Sequence, residues 1–391
     1  MNYSRSSLDA LMCLDFESLR SQRIDSWKNI AASAQNEFVI FGAGELGIKV
    51  LKSLKAVGLR PKAFLDNNAT MAQSTLENIP IMHPNNAMER LGHDVLVLLS
   101  VFNTSKPRDQ LKALGFNRII HCAYLFAGIP DVALPYVCLD DTDVVFQSRE
   151  QVQAAFELME DEASRELFLA QVRYRLFMDF DRVLNPQTAE MRQSEYFPID
   201  LYRFLDDEVL VDCGAFSGDT VKRFLSIRNQ NFKKIYAFEP DIKNYALLED
   251  YVKQLPQTIN AKIATINQGV GNLVGLVRFH SDGTVRSWAS NEGSDVVSIV
   301  RLDESASKTT PTLIKMDIEG GEIDALQGCE EIIRSHKPVL AICVYHASQH
   351  LWSVPLLIHK FCKDYQFFLR AHAEDCWDVT CYAIPKDRLI A

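Results

Sequence analysis

The chain has no excess of basic charge. Lys and Arg number 41 against 51 Asp and Glu, a net charge of −10. No Lys/Arg-rich run could track a phosphate backbone, which argues against a nucleic-acid partner. No uninterrupted apolar stretch approaches the roughly 18 residues that a membrane span needs. The opening MNYSRSSLDALMCLDFESLR breaks its apolar positions with acids and arginines, so no signal-peptide core is formed and the cytoplasm is the expected compartment. The nine cysteines are scattered, without a C-x-x-C. Cys376 and Cys381 are the closest pair, but no second pair or His-x-x-x-His completes a zinc site, and reduced thiols are expected. Internal repeats and low-complexity tracts are also missing.

What is there is an ordinary globular composition, 47% apolar and 24% charged over 391 residues, long enough for two domains of about 150 residues each with a connecting region. Residues 1–139 hold a first series of strands and helices, with FVIF, KAFLD, DVLVLLSV and RIIHCAYL as apolar runs and GIKVLKSLKAVGL between them at helical spacing. Residues 140–204 turn mainly helical and contain no glycine, as expected of a packed helical connector. A second alternating series occupies 205–391, with expected strands EVLVDCG, KIYAFEP, KIATINQGV, VVSIVRL, TLIKMDIEG, PVLAICVYH, FFLRAH and CYAIP. The alternation predicts an α/β protein whose C-terminal domain is a doubly wound, mostly parallel sheet that takes its ligands at the carboxyl ends of the strands.

The first series opens with a G-x-G-x-x-G in FVIFGAGELGIKV: Gly42, Gly44 and Gly47, followed 19 residues later by Asp66 at the end of AFLD. That is the spacing of a dinucleotide fingerprint. Three readings stay open: a nucleotide or nucleotide-sugar pocket that presents an acceptor, an NAD site, or a scaffold with no ligand. Beyond this fingerprint the chain offers no partner domain for hydride transfer. Through FGAGELG, FLDNN and IPIMHP the segment resembles the small N-terminal domains that bind nucleotide sugars in bacterial sugar-modifying acetyltransferases.

The second series opens with Asp212-Cys213-Gly214-Ala215-Phe216-Ser217-Gly218, a D-x-G-x-x-x-G at a strand end. Its glycines let backbone approach a ligand closely. Its acid would repel a pyrophosphate but suits a ligand with a cationic amino-acid portion, as in S-adenosylmethionine. The next strand ends at Glu239, where a carboxylate can accept both hydroxyls of a ribose. Asn267, after the third strand, is a place for the adenine edge, although a strand-end turn explains it equally.

VDCGAFSGDT, YAFEP, LDE at 302–304, LIKMDIEGGEIDALQG and PVLAICVYH, in this order, resemble the FkbM-type family of S-adenosylmethionine-dependent methyltransferases over about residues 205–385. The resemblance implies a seven-stranded Rossmann-like methyltransferase fold and methyl transfer to oxygen, commonly a sugar or natural-product hydroxyl, with S-adenosylhomocysteine as product. On that reading Asp212, Gly214, Ala215 and Gly218 frame the donor's methionine side and Glu239 its ribose.

Methyl transfer from a sulfonium needs the hydroxyl held in line and relieved of its proton. Asp317, Glu319 and His346 fall at expected strand ends on the ligand edge of the sheet. His346, with an ordinary pKa near neutrality, is the first candidate for general base, with Asp317 orienting it or acting itself. Lys315 shares a strand face with Asp317 and is expected to pair within the site. Asp317, Glu319 and Glu322 could hold Mg²⁺ through oxygens, but an acid at a helix start explains Glu322 without a metal, and no metal ligand is assigned. The block from Ser281 to Asp295, with Trp288, is either a loop over the site or an exposed hairpin. No Asn-Pro-Pro-aromatic segment occurs, Asn185-Pro186-Gln187 not being one, which disfavours base methylation. The acceptor is expected to be a small molecule or glycan, with nucleotide sugars among the candidates; the oligomeric state is not legible. Two alternatives remain: a non-catalytic module that binds nucleotide sugar or S-adenosylmethionine, and an NAD-dependent oxidoreductase.

Overall fold

The computed structural model describes the chain except residues 1–4, 36, 72–73, 103, 137–138, 142, 179–193, 229, 281–287, 290–294, 306–309, 374–376 and 391. Most of the 281–295 block, and the segments with Cys376 and Asn185, therefore lie outside the described residues. The chain divides into two compact units, one of Met1–Ser148, Leu169–Pro186 and Ala373–Trp377, the other of Arg149–Phe168, Gln187–His372 and Asp378–Ala391. The segment read as a separate helical connector is thus shared between them. Its apolar stripe is core: within the second unit Phe156 and Phe168 are buried and meet edge to face at 5.8 Å. Among the described residues no helix is long and apolar enough to cross a membrane.

The first unit is built on strands β1 (Phe38–Phe41), β2 (Ala63–Leu65), β3 (Thr75–Leu76), β4 (Ile79–Met82), β5 (Leu96–Leu99) and β6 (Arg118–His121). They pair in the order β3-β4-β2-β1-β5-β6, parallel except for β3 on β4. Every residue of FVIF and LVLL is buried, which is why these strands read as continuous apolar runs rather than alternating ones. RIIHCAYL is strand only to His121, and the run continues as the helix Ala123–Gly128.

The second unit contributes β7 (Val209–Cys213), β8 (Lys234–Phe238), β9 (Ile263–Ile266), β10 (Gly269–Val270), β11 (Gly275–His280), β12 (Trp288–Ala289), β13 (Asp295–Val300), β14 (Leu313–Met316), β15 (Val339–Cys343), β16 (Tyr365–Ala371) and β17 (Val379–Pro385). Seven of these form one sheet in the order β16-β17-β15-β14-β7-β8-β9, with β17 antiparallel to both neighbours and the rest parallel. This is the expected seven-stranded, doubly wound sheet, and its strand order reverses on either side of β7, opening a crevice there.

VVSIVRL does not join it. Its strand β13 lies in a separate four-stranded sheet, order β10-β13-β11-β12. Val296 there is 61% exposed while its neighbour Val297 is buried, the alternation of a one-sided sheet rather than of a strand covered on both faces. KIATINQGV is likewise divided between β9 and β10. Asn267 turns the chain between them, its amide donating to the carbonyls of Glu239 at 2.9 Å and Pro240 at 3.1 Å.

Candidate active site

The register sets Asp212 of β7 directly beside Lys315 of β14. Both are buried, with Lys315 Nζ 3.1 Å from Asp212 Oδ1. Nζ also donates to the carbonyls of Gly214 at 2.6 Å and Cys213 at 3.3 Å. Lys315 therefore pairs across the sheet and clamps the start of the glycine turn, rather than pairing with Asp317 or Glu319. Burial alone would lower the lysine's pKa, but Asp212 and the charges of Asp317 and Asp219 hold it above its ordinary value. Burial pushes Asp212 up to about 6 against the opposing charge of Lys315.

Gly214 has φ +78°, and a Cβ there would stand 1.9 Å from the carbonyl oxygen of Asp317. Only glycine lets the turn pass under the end of β14. The N–H groups of Gly214 and Ala215 both donate to the Phe238 carbonyl at 3.0 Å, and that of Gly218 to Ala215 at 2.8 Å. Glu239, 5% exposed, closes the turn from the end of β8. One oxygen accepts from the Phe216 N–H at 2.8 Å, the other from the Asp241 N–H at 2.9 Å. Burial pushes the Glu239 pKa up to about 7 despite these two bonds.

Across the crevice, Asp317 follows β14 and His346 lies three residues beyond β15. Asp317 Oδ2 accepts from the Tyr196 hydroxyl at 2.8 Å and Oδ1 from the Tyr345 hydroxyl at 3.3 Å. His346 Nδ1 lies 2.8 Å from Oε1 of Glu322, a residue with no exposed side-chain surface. The ring's Nε2 points the other way, 3.2 Å from Asp317 Oδ1 and 3.7 Å from Glu319 Oε2. Glu319 reaches it from a left-handed backbone, φ +53°, a strained conformation that persists where surrounding structure enforces it. His350 Nδ1 stands 3.2 Å from the second oxygen of Glu322.

Charge sets the protonation of this cluster. Burial would raise Asp317 and Glu322, but His346 beside both, with Lys315 near Asp317 and His350 near Glu322, keeps each well below the usual carboxylate range. Burial would lower His346, and the charge of Glu322, with Asp317 and Glu319, raises it instead.

The structure thus brings together Asp212, Lys315, Gly214, Ala215, Gly218 and Glu239 on one side of the switch point and Asp317, Glu319 and His346 on the other. Asn267 sits behind Glu239 and fastens its backbone. Sequence reasoning missed Glu322 as the partner of His346, and it missed His350, which opens the helix His350–Phe361 four residues later. It also missed Tyr196, which lies 121 residues from Asp317 in a segment read as connector.

In the first unit, Asp66 Oδ2 accepts from the Ala43 N–H and Oδ1 from the Asn68 N–H, each at 2.8 Å. Gly47 is held by packing, since a Cβ would lie 2.0 Å from the Gly42 carbonyl, and Gly42 itself abuts the Ser100 carbonyl. Gly44, which caps the helix Glu45–Ala56, has nothing near its Cβ direction.

Comparison with known proteins is consistent with this geometry. Residues 212–369 match the model of the methyltransferase FkbM domain. The crystal structure of methyltransferase FkbM from Methylobacillus flagellatus KT aligns with a TM-score of 0.72 at 22% identity, covering 94% of this chain and 100% of that one, which shows a shared fold. A putative rRNA-methylase from Clostridium thermocellum (9% identity, 53% of this chain, 99% of that one, TM-score 0.32) and a putative methyltransferase from Streptococcus mutans in complex with SAH (11%, 51%, 100%, 0.29) align too loosely to carry an argument. No curated protein matches. The match to the methyltransferase FkbM domain model thus spans residues 212–369, the part of the chain that holds both the glycine turn and the acid cluster.

Proposed function

We propose that the second unit transfers the methyl group of S-adenosylmethionine to a hydroxyl oxygen of a small-molecule or glycan acceptor. One observation carries the reading. The glycine turn with its buried strand-end carboxylate faces, across one switch point, a cluster of acids around the imidazole of His346.

The donor side fits the cofactor. Each Glu239 oxygen accepts one backbone N–H and keeps lone pairs for the two ribose hydroxyls. Asp212, fully buried, acts through Lys315 to hold the turn that backs the methionine portion. In the reaction the sulfonium S–CH₃ bond breaks as the acceptor C–O bond forms, leaving the thioether S-adenosylhomocysteine. The hydroxyl proton passes to the Asp317, Glu319 and His346 side, where acid and imidazole lie within reach of one another.

The test is calorimetric titration with S-adenosylmethionine, S-adenosylhomocysteine, NAD and a panel of nucleotide sugars. Adenosyl ligands are expected to bind wild type and the Gly44→Asp variant, and to lose at least tenfold in affinity with Glu239→Ala. Binding of NAD alone, abolished by Gly44→Asp, would place the working site in the first unit and overturn the proposal. A nucleotide sugar lost only in Gly44→Asp would identify the open ground around Gly44 as an acceptor-presenting pocket.

A further inference from the structure

Asp317, Glu319 and His346 have a property that proton transfer does not require. One donor atom from each, two carboxylate oxygens and an imidazole nitrogen, lie within 4.8 Å of one another. His346 is 8% exposed, and its Nε2, aimed between the two carboxylates, takes part in no hydrogen bond among the described residues. A buried ring nitrogen that faces two acids out of hydrogen-bond alignment is directed so that an ion between them would find it as a ligand once its proton has left. Its other nitrogen is fixed by Glu322 at 2.8 Å, the arrangement by which a carboxylate behind a metal-binding histidine sets its tautomer and sharpens its basicity.

The spacing agrees. Metal–ligand bonds of about 2.1 Å at tetrahedral angles hold neighbouring ligand atoms roughly 3.4 Å apart, and Nε2 lies 3.2 Å and 3.7 Å from the two carboxylate oxygens. Charge agrees as well. Three carboxylates, Asp317, Glu319 and Glu322, surround the ring, so even an imidazolium leaves the group two charges negative, and Lys315, the nearby buried cation, is engaged with Asp212.

We infer that Asp317, Glu319 and His346 bind a divalent first-row transition-metal ion, with Glu322 holding His346 in ligating orientation. The imidazole selects the class: an all-oxygen site suits Mg²⁺ or Ca²⁺, whereas two carboxylates with one nitrogen suit Mn²⁺, Fe²⁺ or Zn²⁺. A cation there would acidify an acceptor hydroxyl placed beside the cluster, easing loss of the proton that the methyl-transfer reading sends to this side of the crevice. That purpose rests on the methyl-transfer reading; the binding itself does not.

The experiment uses the full chain stripped with chelator and titrated with Mn²⁺, the free ion being followed by electron paramagnetic resonance, then with Co²⁺ by visible absorption and with Mg²⁺ in competition. One Mn²⁺ per chain is expected, with Mg²⁺ at least tenfold weaker. Glu319→Gln and His346→Ala are each expected to weaken Mn²⁺ at least tenfold, and Glu322→Gln about 10- to 100-fold. Because His346→Ala strands a buried Glu322, Glu319→Gln, with a side chain 21% exposed, keeps the test decisive if the histidine variant fails to fold. Failure of wild type to bind Mn²⁺ or Co²⁺, binding unchanged in Glu319→Gln, or Mg²⁺ binding as tightly as Mn²⁺ would each overturn the inference. S-adenosylhomocysteine is titrated into the same samples: its normal binding in protein that fails to take up added Mn²⁺ overturns only the metal site, and uptake of Mn²⁺ by protein that fails to bind S-adenosylhomocysteine overturns only the donor reading.

Discussion

The two units use the same backbone device with different charge. In each, the first strand ends in a glycine turn, and the acid ending the next strand accepts an N–H from that turn at 2.8 Å, Asp66 from Ala43 in one and Glu239 from Phe216 in the other. In each, the strand on the opposite side of the first supplies a group that holds the turn's carbonyls. Ser100 Oγ donates to Phe41 at 2.7 Å and Gly42 at 3.1 Å; Lys315 Nζ donates to Cys213 and Gly214. The neutral hydroxyl needs no counter-charge. The ammonium needs Asp212, and by register Asp317 stands where the first unit has Ser100, with Glu319 in the place of Phe102. A glycine fingerprint with its acid therefore specifies a turn; chemistry is specified by what stands across the switch point.

The largest break in this comparison comes from removing the clamps. Lys315→Met leaves Asp212 buried without its counter-ion, which costs about 3–5 kcal/mol. Ser100→Ala removes a neutral hydroxyl donor and costs about 1 kcal/mol. Urea unfolding of the two variants measures the difference, and Asp212→Leu combined with Lys315→Met is expected to recover much of the loss, because an apolar pair removes the stranded charge. Equal losses from Lys315→Met and Ser100→Ala would mean that the ion pair is not what holds the second turn.

A smaller effect separates the two strand-end acids. Burial holds Glu239 near 7 from an ordinary 4.5. Between those values the folded state keeps a proton that the unfolded chain has released, so this group makes stability fall as pH rises through that window. Ligand binding runs the other way, since ribose hydroxyls donate to the ionised carboxylate. Affinity for S-adenosylhomocysteine is expected to rise about tenfold from pH 6 to pH 8, to flatten in Glu239→Gln, and to be unmoved by Asp66→Asn. A slope that survives Glu239→Gln would assign the titration elsewhere.

Motifs whose parts are close in sequence were legible before the fold. Gly214 and Glu239 each lie at the end of an apolar run, so strand ends and spacing place them. The partner of Lys315 was not legible: sharing a strand face with Asp317 is a local fact, whereas lying beside Asp212 depends on the register of β14 against β7. VVSIVRL was misplaced because an apolar run does not reveal whether a strand is covered on one face or two. The contacts of Glu322 with His346 and of Tyr196 with Asp317 depend on chain closure over 24 and 121 residues, which no periodicity encodes.

The finest distinction lies inside the acid cluster of the second unit. Asp317 keeps its charge although burial opposes it, and two tyrosines contribute unequally. The Tyr196 hydroxyl donates at 2.8 Å, a normal bond to an ionised acceptor, while that of Tyr345 donates at 3.3 Å, where the interaction has weakened. A hydrogen bond to a charged group is worth about 1.5–3 kcal/mol net, and its loss leaves Asp317 easier to protonate and less firmly oriented. Tyr196→Phe is therefore expected to lower the initial rate of methyl transfer about tenfold with the KM for S-adenosylmethionine unchanged, and Tyr345→Phe by less than about threefold. Equal effects would mean that the tyrosines act by packing, since both rings survive the substitution and only the hydroxyls, at their unequal distances, are removed.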